Sequence, residues 1–277
     1  MKTLLVPTDF SIPADSAIHY AVELAALWDA SIILYHSFIP FESGFYLLSL
    51  SEKENLENEK RLMARLATIQ NNILKKNPSL SISIHVDRGP EGIKIIEFCK
   101  KRKVDLVLMG TSGASGLKEK LIGSFTAEVM TKAPCPVLAI PNKYKFRIPK
   151  KITYATNYSK KDKKVLEVLL KFNEVFHASI SLLHVDWGMT FFTADDDHAK
   201  YKKIIQNHFK DFEFSFNHTT GNDITKTILE ETLLDNTEMI VMNPFKRKGM
   251  WDRLFEKSVT KKMAYHIPFP LLTIPSK

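Results

Sequence analysis

VPTDFS (Val6 to Ser11) and, 148 positions further on, YATNYS (Tyr154 to Ser159) decide how this chain is read. The same shift lays DASIILYHS (Asp29 to Ser37) on HASISLLHV (His177 to Val185), so one offset serves two separated matches. Further along, VDLVLMG (Val104 to Gly110) meets TEMIVMN (Thr237 to Asn243), and GSFTAEV (Gly123 to Val129) meets KSVTKKM (Lys257 to Met263). Each half also closes on a proline-bounded strand, APCPVLAIP against IPFPLLTIP. Self-similarity on this scale means one structural unit used twice, and 277 residues suit two domains.

In the first copy, short apolar runs at Leu4 to Val6, Ile32 to Tyr35, Ile82 to Val86, Leu106 to Met109 and Val137 to Ile140 are bounded by turn formers, as buried strands are. Stretches of helical spacing lie between them: Ala17, Ala21, Leu24 and Trp28; Leu56, Leu62, Leu66, Ile69 and Ile73; Ile93, Ile96 and Cys99. Ser11 is placed to cap the first helix, with Pro13 in its first turn. The second copy alternates likewise, with strands near Ile152 to Ala155, Ile180 to His184, Glu213 to Phe216, Ile240 to Met242 and Leu271 to Ile274, and a shorter second helix around Tyr201 to Lys210. The expected fold class is therefore α/β: two tandem Rossmann-like domains, each a five-stranded parallel sheet with helices on both faces and right-handed crossovers. The expected boundaries are a first domain over 1–141, a charged linker over 142–149 and a second domain over 150–277.

Composition is ordinary for a globular protein, 44% hydrophobic and 25% charged. Cys99 and Cys135 form no CxxC or Cys/His pattern, which argues against a disulfide framework or a zinc site and for a reducing compartment. With no leader-like h-region and no membrane-length apolar run, a cytoplasmic location is expected. The net charge of +8 belongs to the second half, where 23 basic residues face 16 acidic ones from Asn142 onward, against 16 and 15 before it. No nucleic-acid motif accompanies these lysine-rich runs, so solvated faces are the reading and nucleic acid is not an expected partner.

In open parallel sheets, ligands settle beyond the carboxyl ends of the strands where strand order reverses. After the fourth strand stands GTSGASGLKEKLIGS (Gly110 to Ser124), spaced G-x2-G-x9-G-S at Gly110, Gly113 and Gly123-Ser124. Glycines let backbone N–H groups approach an anion, and the following helix start favours phosphate. In this strand–loop–helix setting, joined to VPTDFS, ILYH and the proline-bounded last strand, the chain resembles the universal stress protein family across nearly all of both halves.

The resemblance implies an adenine-nucleotide site in the first copy, taking ATP with a divalent ion such as Mg or Mn. Pro7, Thr8 and Asp9 match the segment that holds adenine and ribose, with Asp9 accepting from ribose hydroxyls. Met109 ends the strand before the loop; Gly110, Gly113, Gly123, Ser124 and Phe125 match the phosphate loop and its helix start. Ser37 departs from the pattern, standing where family members commonly place a valine beside the adenine. Plain structural duties are also open to these residues: a helix-entry acid at Asp9, an N-cap at Ser124, a tight turn at Gly110 and Gly113.

In the second copy Asn157 replaces Asp9, and Asn243, Lys246 and Lys257 replace Gly110, Gly113 and Gly123, leaving only Ser258. Side chains there obstruct backbone approach to a triphosphate, so this copy is expected not to bind ATP in the family manner; a different anion site at the lysines is the alternative. Trp251 and Phe255 are read as covering that space. Asp195-Asp196-Asp197-His198 reads as a polar loop rather than a cation site, and His36 and His184 as structural, hydrogen-bonded histidines. Cys135 reads as a small strand-entry residue without a thiolate-activating neighbour.

The expected function is stress-linked regulation through bound ATP, with at most slow hydrolysis, since no motif of a conventional phosphotransferase or hydrolase is present. A slow ATP hydrolase or phosphate-transfer enzyme is one alternative. Another is a nucleotide-independent scaffold in which the halves pair as an intrachain pseudo-dimer through Val137 to Ile140 and Leu271 to Ile274, with a homodimer and an unidentified protein partner open.

Overall fold

The computed structural model describes residues 2–41, 48–111, 124–186, 194–244 and 268–276. In the first half, β1 (Thr3–Pro7), β2 (Ser31–Phe38), β3 (Ile82–Arg88), β4 (Leu106–Gly110) and β5 (Val137–Ile140) alternate with α1 (Ile12–Trp28), α2 (Leu48–Lys76), α3 (Glu91–Arg102) and α4 (Ser124–Lys132). In the second, β6 (Lys151–Ala155), β7 (Ser179–Asp186), β8 (Phe214–Thr220), β9 (Met239–Met242) and β10 (Leu271–Thr273) alternate with α5 (Asp162–Phe176), α6 (Ala194–His208) and α7 (Ile224–Leu234).

All ten strands form one sheet, in the order β3-β2-β1-β4-β5-β10-β9-β6-β7-β8. Every pairing is parallel except β5 with β10, where Val137 meets Thr273 and Ala139 meets Leu271. The two edge candidates thus close on each other, and neither is left as an open row of backbone groups.

Strand alternation sends successive residues to opposite faces. Leu4, Val6, Ile32, Leu34, Leu106 and Leu108 pack under α1 and α2, in one core with Ile152, Tyr154, Ile180 and Leu182 of the second half. Leu5, Tyr35, Val107, Met109 and Ala139 pack under α3 and α4, in a core that continues to Ala155, Leu183, Ile240 and Met242. Across the junction Trp28 of α1 packs on Phe172 and Phe176 of α5, at centroid distances of 5.3 and 5.8 Å.

The recurring T-D/N-F/Y-S segment owes its repetition to a turn. Phe10 and Tyr158 both take left-handed backbone (φ 62° and 57°), a conformation costing a non-glycine residue roughly 1–2 kcal/mol. Each is held there by the threonine two residues earlier, whose Oγ1 accepts the amide of Phe10 at 3.0 Å or of Tyr158 at 2.9 Å. Ser11 then caps α1 by accepting from the Ala14 amide, and Pro13 lies in the first turn, as expected.

One expectation is corrected. Asp195, Asp196, Asp197 and His198 belong to the first turns of α6, not to a loop before it. Acidic residues suit a helix N-terminus, where unsatisfied N–H groups carry the positive end of the dipole.

Candidate functional site

β1, β2 and β3 run to one side of the first half and β4 and β5 to the other, so the crevice between β1 and β4 is the point where strand order reverses. Register defines its floor. Pro7 pairs with Tyr35, and extending the Leu5–Val107 pair by two residues brings Pro7 beside Met109. Tyr35 and Met109 point into the α3/α4 core. The next residues on that face are Ser37 on β2 and, one strand over, Asp9.

The turn that follows β1 also has structural work. The Thr8 amide donates to the Tyr35 carbonyl at 2.9 Å, keeping β1 and β2 paired to the brink of the turn. Asp9 Oδ1 accepts from the Ser11 amide at 3.0 Å, so the helix-entry duty is real, and it orients the carboxylate. On the other face, His36 Nδ1 donates to the Thr8 carbonyl at 2.7 Å while its ring packs on Phe10, 4.9 Å between centroids. Burial pushes the His36 pKa down, which keeps the imidazole neutral. This is the structural histidine expected, and His184 repeats it with Nδ1 on the Thr156 carbonyl at 2.8 Å.

Gly110 has a steric reason of its own. A Cβ there would stand 2.5 Å from the Pro13 carbonyl oxygen, so β4 can end this close to α1 only without a side chain. The Gly110 carbonyl accepts from Thr126 Oγ1 at 3.0 Å, which ties the first turn of α4 to the end of β4. α4 starts at Ser124, and Phe125 packs partly against the α3/α4 core. The start of α4, where a helix has no intrahelical partners for its first N–H groups, is therefore held beside the carboxyl end of β4. Gly113 and Gly123 lie outside the described residues, as do Lys246, Trp251, Phe255, Lys257 and Ser258.

Two groups escaped the sequence reading. Glu91, the first residue of α3, has its carboxyl pKa raised to about 7, first by burial and then by the charge of Asp9. Tyr35 donates to Asp87 Oδ2 at 2.9 Å, and burial with that bond pushes its phenol far up. A Gly-Pro-Glu helix start signals nothing about a carboxylate one strand away, so only the fold could bring Glu91 and Asp9 together. The β3–α3 turn depends on Gly89, whose φ of +134° is glycine territory.

Cys135 proves buried, and a bond to Cys135, followed by burial, pushes the Cys99 thiol well above its ordinary range. A thiol so held, as Cys99 is, is a poor nucleophile. Among the described residues no cluster of three or more His, Cys, Asp or Glu is arranged to hold a metal, and no helix is long and apolar enough to cross a membrane.

The corresponding row of the second half is apolar. Ala155, Leu183 and Met242 form the row equivalent to Pro7, Tyr35 and Met109, while Val185 and Asn157 take the places of Ser37 and Asp9. Asp223, in the place of Glu91, is consumed as the N-cap of α7, accepting from the Thr225 and Lys226 amides at 3.1 Å. Polar groups gather instead at the α5/α6 side. Asp162 accepts from Tyr154 at 2.7 Å, from Tyr201 at 2.8 Å and from Thr156. Asp186 lies between His184 (3.1 Å) and His218 (2.6 Å), with Tyr158 stacked on His184 at 3.9 Å.

Comparison with known proteins supplies relatives for this geometry. The model of the universal stress protein family matches residues 1–141. A universal stress protein of Methanocaldococcus jannaschii is 30% identical over 156 residues, covering 51% of this chain and 96% of that protein. A second from the same organism is 28% identical over 148 residues, covering 50% of this chain and 81% of its own length. Among solved structures, a universal stress protein from Archaeoglobus fulgidus matches 99% of this chain and 96% of its own with a TM-score of 0.68 at 18% identity, a likeness of fold over both halves.

Proposed function

The chain belongs to the universal stress protein family, and from that premise we propose that its first half binds ATP and uses it as a regulatory ligand rather than as a rapidly consumed substrate. The observation that carries this reading is the β1/β4 crevice. Asp9 and Ser37 stand above the Tyr35–Pro7–Met109 row, and the glycine-spaced segment from Gly110 leads to the start of α4. Ribose would lie against Asp9, the base toward β2, and the phosphates toward Gly110, Gly113, Gly123 and Ser124, where backbone N–H groups suit an anion. A Mg or Mn ion would arrive on the phosphates and keep several of its waters. The two domains, 1–141 and 150–277 with 142–149 between them, form an intrachain pair in which the second half serves as partner rather than as a second ATP site.

The test is isothermal titration of the full chain with MgATP, together with mass spectrometry of whatever small molecule co-purifies. Saturable binding to one site, lost in Gly113→Lys, is the expected result; a chain that takes up no adenine nucleotide in either experiment overturns the reading.

Slow hydrolysis is a second reading, and Glu91 is the observation that favours it, because a carboxyl titrating near neutrality is suited to proton transfer. ATP turnover above background that disappears in Glu91→Gln while binding persists would establish it; equal turnover in both proteins rejects Glu91 as the base.

A further inference from the structure

The partners of His184 fix its proton count. Its Nδ1 is 2.8 Å from the Thr156 carbonyl oxygen, and its Nε2 is 3.1 Å from Asp186 Oδ1. A carbonyl oxygen and an ionised carboxylate only accept, so both bonds exist together only when both ring nitrogens carry hydrogen. Asp186 takes a second bond, from His218 Nε2 at 2.6 Å. Burial acts to raise the Asp186 carboxyl, and the bonds from His218 and His184 outweigh it and hold the group below the ordinary carboxylate range. The carboxyl is therefore the ionised member, and His184 and Asp186 form an imidazolium–carboxylate pair with side chains 10% and 21% exposed. In the first half His36 makes the same Nδ1 bond, to the Thr8 carbonyl, but Phe38 stands where Asp186 does and offers its Nε2 no acceptor. The bond at Nε2 is an addition of the second half.

The charge on His184 reaches α6 through an aromatic ring. Tyr158, in the left-handed turn after β6, stacks on His184 with 3.9 Å between centroids and 21° between planes, and a cationic ring is attracted to the face of a phenol. Burial, Asp186 and, from α6, Asp197 keep that phenol protonated, and its hydroxyl meets His198 Nδ1 of α6 at 2.6 Å. The His198 ring stacks in turn on His218 at 5.5 Å. Behind this group, the Thr156 hydroxyl is bonded to Asp162 of α5 and Tyr201 of α6. The first turns of α6 thus rest on rings that share the Asp186 carboxylate.

We propose that His184 is a proton-operated latch on α6: doubly protonated, it is tied to Asp186 and to the Tyr158 ring that carries His198, and loss of its Nε2 proton releases α6 from this end of the second half. Deprotonation turns a lone pair of Nε2 toward the Asp186 carboxylate, so an attraction becomes a repulsion, and it removes the charge that holds the imidazole on Tyr158. The latch is closed while His184 is charged and Asp186 ionised, and it opens as pH rises. It is independent of the nucleotide reading, because every group in it belongs to the second half.

The experiment is NMR of the full chain labelled with nitrogen-15 in its histidines, read beside amide hydrogen exchange along α6. With the latch closed, His184 is expected to show a directly bonded proton on both ring nitrogens, and His36 on Nδ1 alone. As pH is raised, loss of the second His184 proton should be accompanied by a fall of about tenfold in the exchange protection of α6, corrected for the intrinsic rise in exchange with pH, which is the order expected of one charge-assisted hydrogen bond. Protection of α1 should not follow that step. In Asp186→Asn, whose amide can accept from an imidazolium or donate to a neutral imidazole, the fall should disappear. A His184 with one protonated ring nitrogen at every pH at which the chain is folded overturns the proposal, as does α6 protection that fails to follow the second proton or that falls equally in Asp186→Asn. Should that variant not fold, the two wild-type measurements decide the matter by themselves.

Discussion

At the carboxyl edge of the first half, Ser37, Asp9 and Glu91 lie beyond the Tyr35–Pro7–Met109 row, whereas at the same edge of the second half Val185 packs in the core and Asp223 caps a helix. The second half places its polar groups on the other side of the sheet, where Asp162 is satisfied by three hydroxyls and Asp186 by two imidazoles. Polar side chains that satisfy one another contribute order to a fold. One backbone plan thus supports two edges that differ in where their polar side chains lie.

The sharpest way to break this contrast is Asp162→Ala. Its counterpart in the first half is Ala14, but here the change strands the hydroxyls of Tyr154, Thr156 and Tyr201 in the core, and a loss of about 3–5 kcal/mol is expected from urea unfolding. Gly110→Ala comes next: its Cβ would lie 2.5 Å from the Pro13 carbonyl oxygen, so the first half should lose about 1–3 kcal/mol. The reverse change, Asn243→Gly, creates no such contact and should be close to neutral apart from backbone entropy of about 1 kcal/mol.

Asp9→Asn gives the first half the residue of the second. Asn keeps an oxygen to accept the Ser11 amide, so the melting temperature should hold while MgATP affinity falls about tenfold with the loss of a charged acceptor.

The smallest effect concerns pH. Because the folded pKa of Glu91 is raised to about 7, the folded state keeps a proton that the unfolded chain releases, so stability falls as pH rises from about 4.5 to 7. Glu91→Gln should flatten that fall, by about 1 kcal/mol once solvent screening is allowed for. Asp186 behaves oppositely. Its carboxyl is held below the ordinary range by bonds from His218 and His184, against the opposing effect of burial. Its contribution is therefore present above the unfolded carboxylate pKa and lost as pH falls through the folded one, and Asp186→Asn should remove that part of the acid unfolding curve.

Much of this was legible in the residues. All ten strands fall where apolar runs between turn formers put them, and β2, β3, β7 and β8 extend two to four residues further toward their carboxyl ends than those runs. The extensions are His-, Ser-, Asp- and Thr-containing stretches such as His36-Ser37-Phe38 and Asn217 to Thr220, which fall outside the apolar runs but pair because a neighbouring strand continues beside them. The acidic run at Asp195 has the composition of a loop, and only the helix N-terminus that accommodates it shows otherwise. At the site, Asp9, Ser37 and Gly110 were visible through their motif, whereas Glu91 was not.

By itself the sequence determined the repetition, the strand–helix alternation and the loss of glycines from the second copy, because these rest on periodicity and on steric properties that each residue carries with it. Tertiary structure alone decided that the two units share one sheet through β5 and β10 and that Glu91 feels Asp9. Those are facts about distance between residues far apart in the chain, and burial and electrostatics depend on such distances rather than on position along it.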